Sequence, residues 1–124
     1  MKLINQPTNE TGCGIASFAM ISRFRKYDSA KVKMKINSWA LENDYVQVKQ
    51  MKSAIKTIKS EKNIKLHYGE PKNTATCLLF VKYKEIYRHW VVRHDNLYYD
   101  PLPIYKKPRK KLNYIVTRAI SIND

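Results

Sequence analysis

The chain has 124 residues, 44% of them hydrophobic, and a formal net charge of +14 from 24 Lys and Arg against 10 Asp and Glu. That length and apolar content fit one folded domain over residues 1–124 and exclude a disordered chain. No apolar run approaches the ~20 residues that span a bilayer. The opening MKLINQPTNE lacks the apolar core of a secretory signal, so the expectation is a cytoplasmic protein with no membrane span, which delivery into another cell would also fit.

Residues 13–27 read as a first helix, with Ile15, Phe18, Ala19 and Ile21 on an apolar face and Asn9, Thr11 and Gly12 as start signals. A second helix is expected over 29–43, with Ser29 as N-cap and Val32, Ile36, Trp39 and Ala40 facing inward. A third is expected over 46–60, where Val48, Met51, Ile55 and Ile58 recur at helical spacing beside a solvent-facing stripe of Lys49, Lys52, Lys56 and Lys59. The pattern then shortens: Asn63–Tyr68 alternates, and TCLLFVKY (76–83) is an apolar run of strand length. HWVVRHDNLYYD (89–100) reads as a hairpin around His94-Asp95-Asn96, and NYIVTRAISI (113–122) as a last strand. Helices first and strands after argue an α+β fold, N-terminal helices on a mainly antiparallel sheet.

Two of the chain's three glycines flank one cysteine, in Gly12-Cys13-Gly14. A cysteine in the first turn of a helix is favoured as thiolate by the unpaired N–H groups and the macrodipole. Flanking glycines would let backbone N–H groups approach a substrate at the sulfur, so Gly12 and Gly14 are candidate substrate-binding positions. A nucleophilic cysteine needs a base. His89 opens one arm of the hairpin and Asp100 closes the other, so paired strands would bring a carboxylate to orient the imidazole. Gln6, seven residues before Cys13, is a candidate side-chain donor to an oxyanion, with Asn5 and Asn9 as alternatives. Trp90 and Tyr99 read as walls of the core or cleft, and Trp90 is taken as a substrate-lining candidate. Cys77, inside an apolar strand, reads as core, His67 as a strand end and His94 as a solvated turn residue. With no CxxC, the two cysteines read as free thiols in a reducing compartment. Cys and His are nowhere concentrated enough for zinc, so neither a metal nor an organic cofactor is expected.

The set Gln6, Cys13-Gly14-Ile15-Ala16, Met20, His89-Trp90-Val91-Val92 and Tyr99-Asp100-Pro101 resembles the C39 family of papain-like cysteine peptidases, which trim leader peptides in bacteriocin transporters. The resemblance spans residues 6–101 and keeps the order Gln, Cys, His, Asp. It implies a papain-like fold and a peptide or protein substrate, with Cys13 as nucleophile, His89 as general base, Asp100 as orienting acid and Gln6 as oxyanion donor. The chain departs from the pattern in having Gly12 where an acidic residue usually precedes the cysteine. It also has a short hairpin between His89 and Asp100, and no transporter region is visible. The papain-like fold also hosts deamidases, transglutaminases and toxins that attack RNA.

YKKPRKK (105–111) carries Lys106, Lys107, Arg109, Lys110 and Lys111, five basic residues in seven. It reads either as a solvated loop or as a patch for RNA or an acidic protein such as an inhibitor. Three functions are therefore in view: a cysteine peptidase, a papain-like toxin acting on RNA, and a non-catalytic binding module that kept the site.

Overall fold

The computed structural model describes residues 1–22, 24–72, 74–83 and 87–123, the side chain of residue 83 excepted. Its helices are α1 (Cys13–Ile21), α2 (Tyr27–Ile36) and α3 (Val48–Ile55). Its strands are β1 (Ile64–Tyr68), β2 (Thr76–Tyr83), β3 (Tyr87–His94), β4 (Leu97–Tyr99) and β5 (Ile115–Ile122). The three helices pack on a five-stranded antiparallel sheet in the order β1-β5-β2-β3-β4.

Each helix is shorter than the sequence suggests. The first was expected to run to residue 27 but stops at Ile21, because Ser22 turns to extended backbone; Arg23, in the expected span, lies outside the described residues. Every residue of α1 from Gly14 to Met20 is buried, so it is a core helix rather than a one-faced one. The second helix starts two residues before the expected Ser29 cap and ends at Ile36. Ser38 is left-handed (φ 58°), and the Trp39 N–H returns to the Met34 carbonyl at 2.8 Å, closing the helix seven residues early. Its inward face is also different: Ala30 and Met34 are buried, whereas Val32 and Ile36 are 59% and 75% exposed. The third helix buries Met51, Ala54 and Ile55, and the Gln50 side chain accepts the Gln47 N–H at its start.

The sheet separates two apolar clusters. On one side Leu78, Trp90, Val92, Ile120 and Ile122 meet Ile15, Phe18, Met34, Met51 and Ile55 from the helices. On the other, Cys77, Leu79, Val81, Val91 and Ala119 are covered by Leu112 and Tyr114 from the connection between β4 and β5. The hairpin closes through Asp95 and Asn96, both with positive φ (51° and 67°), as a two-residue turn between strands with right-handed twist requires. His94 is therefore not a solvated turn residue: it ends β3, half-buried, with Nδ1 2.7 Å from the Thr76 hydroxyl. Beyond β4, Arg109 exchanges both backbone hydrogen bonds with Tyr98 (2.7 and 2.8 Å), capping that edge of the sheet.

The chain start is stitched to this connection. The Gln6 N–H donates to the Pro101 carbonyl at 2.8 Å. The Asn5 amide reaches the Leu102 and Tyr105 carbonyls at 3.0 and 2.8 Å. Residues 5 and 6 thus lie beside residue 100 despite nearly the whole chain between them.

Candidate active site

Cys13 is the first residue of α1, half-buried at the helix mouth. The first intrahelical bond runs from the Ala16 N–H to the Gly12 carbonyl at 2.9 Å, so the N–H groups of Cys13, Gly14 and Ile15 have no partner within the helix. Gly12 precedes it with φ +101°, a conformation that L side chains rarely adopt, and a Cβ there would lie 2.5 Å from the Tyr27 hydroxyl.

His89 lies near the start of β3, two residues from Val91 and hence on the sheet face that the β4–β5 connection covers. The same connection starts with Asp100. The His89 Nε2–H donates to Asp100 Oδ1 at 2.7 Å, both side chains almost fully buried. Asp100 is held from two further directions: the Leu102 N–H reaches Oδ1 at 3.1 Å, and the Tyr114 hydroxyl donates to Oδ2 at 2.9 Å. With Nε2 on Asp100, Nδ1 is the nitrogen left for the sulfur. Burial alone would lower the His89 pKa. Its hydrogen bonds to Asp100 and Cys13, together with the charges of both, outweigh that and push it up to about 9. At that value the ring carries its proton at neutral pH.

Gln6 is buried against the same cleft. Its Nε2 donates one hydrogen to the Thr8 carbonyl at 2.7 Å, which leaves the second for another acceptor. Among the described residues Oε1 has no partner. Turning the amide over would set Oε1 against the Thr8 carbonyl, so Nε2 faces Thr8. Asn5, considered as an alternative donor, is committed to the 101–105 carbonyls, while Asn9 lines the cleft.

The cleft has two arms that meet at Cys13. One, about 440 Å³, is lined by Gln6, His89, Leu102 and Ile104. The other, about 540 Å³, is lined by Gly12, Asn43, Asp44 and Tyr45. Glu10, Tyr87 and Arg88 border both. In the second arm the Tyr27 hydroxyl donates to Asp44 at 3.3 Å. Burial works against ionisation of Asp44, but Lys35 and Lys31, at 2.7 and 3.2 Å, hold its carboxyl below the usual range. Burial, Asp44 and the nearby Cys13 all push the Tyr27 phenol up.

Gln6, Cys13, His89 and Asp100 are brought together, and Gly12 borders the cleft. Two expected substrate contacts are corrected. Trp90 is fully buried, with its indole N–H on the Val46 carbonyl at 2.8 Å, and lines neither arm. Gly14 is also buried. A Cβ there would lie 2.6 Å from Val46 Cβ and 3.0 Å from the Trp90 ring, so its smallness lets α1 approach the core instead of admitting a substrate. Tyr114, Leu102, Ile104 and Tyr87 were missed. Nothing local marks Tyr114, whose role arises only where the last connection folds over β3.

Lys106, Lys107, Lys110 and Lys111 are exposed, and among the described residues none has a carboxylate within ion-pair distance. Arg109 is half-buried, its guanidinium 4.4 Å over the Tyr105 ring. Cys77 is a free thiol in the core, pushed up by burial and contacted by Thr74 and Arg93. Among the described residues no group of His, Cys, Asp or Glu could hold a metal ion, and no helix is long and apolar enough to cross a membrane. No protein-family model matches the chain, and no curated protein matches it in sequence.

Proposed function

We propose that this chain is a papain-like, C39-type cysteine hydrolase that acts by acyl transfer on a peptide or amide carbonyl. The observation that carries the reading is the buried His89–Asp100 pair at 2.7 Å, with the ring's other nitrogen turned to a cysteine at a helix start. In this mechanism the Cys13 thiolate attacks the carbonyl carbon, and the oxyanion is met by the Cys13 N–H and the free Gln6 amide hydrogen. The imidazolium then protonates the departing nitrogen, and water releases the acyl group with His89 as base. Asp100 keeps the ring in the required tautomer and orientation.

The test needs no natural substrate. Iodoacetamide should label Cys13 well before Cys77, and an activated p-nitrophenyl ester should give a burst of one equivalent that Cys13→Ala abolishes. Labelling of Cys77 first, or a burst unchanged in Cys13→Ala, would overturn the reading.

A second reading, action on RNA or docking of an acidic protein, is favoured by the four exposed lysines of residues 106–111, which have no ion-pair partner among the described residues and follow closely on the cleft wall at Ile104.

A further inference from the structure

The two arms of the cleft are unlike, and only one holds the imidazole. His89 and Gln6 border the arm that ends in Leu102 and Ile104, whereas the opposite arm presents Gly12, Asn43 and Asp44. Resting on the Cys–His acyl transfer proposed above, we propose that this asymmetry gives the cleft a direction. The acyl half of the substrate lies along Gly12 and Asp44. The leaving half lies along Leu102 and Ile104 and begins with a bulky apolar residue.

Proton delivery sets the direction. When the thiolate attacks, a C–S bond forms and the C–N bond must break. The nitrogen departs as a neutral amine only if it takes the proton carried by His89. The leaving nitrogen, and the residue attached to it, must therefore lie on the imidazole's side of the sulfur. That side is the arm walled by Leu102 and Ile104, with Tyr87 shared between the two arms. Ile104 and Tyr87, which both line this arm, are 76% and 59% exposed, two large apolar side chains left in water. An apolar side chain seated in this arm removes part of that surface from water together with its own. The same step run backwards gives the measurement: an amine entering this arm attacks the thioester, the C–S bond breaks, the thiolate re-forms and His89 takes the amine's proton.

The experiment acylates the protein with acetylglycine p-nitrophenyl ester, then compares added amino-acid amides as competitors of water, reading aminolysis against hydrolysis by mass spectrometry. Cys13→Ala supplies the uncatalysed background. Leucinamide and phenylalaninamide should partition about tenfold better than glycinamide, the discrimination typical of one apolar side chain in a pocket. Ile104→Asp should abolish the preference, whereas Ile36→Ser, on the exposed face of α2, should keep it. Equal partition of leucinamide and glycinamide, or a preference that survives Ile104→Asp, would overturn the direction while leaving the hydrolase intact. Absence of any acyl-enzyme on Cys13 would remove the hydrolase reading and the direction with it.

Discussion

Asp100 accepts hydrogen bonds from His89, Leu102 and Tyr114, so each of its oxygens is fixed before any substrate arrives. Asp100→Asn should fold but lose on the order of 10⁴-fold in acyl transfer, the cost of a wrong imidazole tautomer. An intact, fully active variant would disprove the triad. Tyr114→Phe removes the hydroxyl that bonds Oδ2 and Tyr105, and edge-on contact with His89 (rings 5.9 Å apart) is kept. The rate of Cys13 alkylation should fall about tenfold, roughly 1.4 kcal/mol, with thermal stability changed by about 1 kcal/mol. The His89 proton links the site to stability. Its folded pKa of about 9 lies above its ordinary 6.5, so folding binds the proton more tightly than unfolding does. That contribution is complete below about pH 6.5 and is lost as pH rises through 9. Urea midpoints should therefore fall between pH 6.5 and 9 in the parent and fall less in His89→Gln; equal slopes would remove the linkage.

At the scale of elements, the packing of α1 and α2 decides the next outcomes. Gly14→Ala forces a methyl against Val46 and Trp90 and should cost about 1–3 kcal/mol, read as a lowered Tm. Met34→Ala should cost about 2–5 kcal/mol, whereas Val32→Thr and Ile36→Ser should stay within about 0.5 kcal/mol; the reverse order would mean that α2 is turned over. The strands were readable because alternation and β-branching describe a sheet surface directly, and the Asp95-Asn96 turn carries its own backbone signature. The helix ends were not. Nothing before Ser38 stops a helix, and the choice between Val32/Ile36 and Ala30/Met34 as the inward pair depends on what the helix meets. Cys13, His89 and Asp100 stood out because a helix start and two strand ends fix their positions. Tyr114 and Ile104 did not, because a long connection has no periodicity from which to read a face.

For the whole molecule, net charge matters beyond contact distance. If the 106–111 segment holds RNA, binding should weaken with salt at a log–log slope near −0.7 per phosphate contact on a single strand. Neutralising Lys106, Lys107, Arg109, Lys110 and Lys111 together should flatten that slope by several units. A gel-shift series at two salt concentrations measures it, and salt-insensitive retention, or none, would leave the +14 as a solvated surface. The stitch between residues 5–6 and residues 101–105 has a temporal meaning as well. During synthesis Cys13 leaves the ribosome before His89, Asp100 and Tyr114, which follow 76 to 101 residues later. Until then the Gln6 backbone N–H has no carbonyl at residue 101 to anchor it. On the proposed mechanism, the order of the residues along the chain thus keeps Cys13 without its fully positioned base until residue 114 has been made.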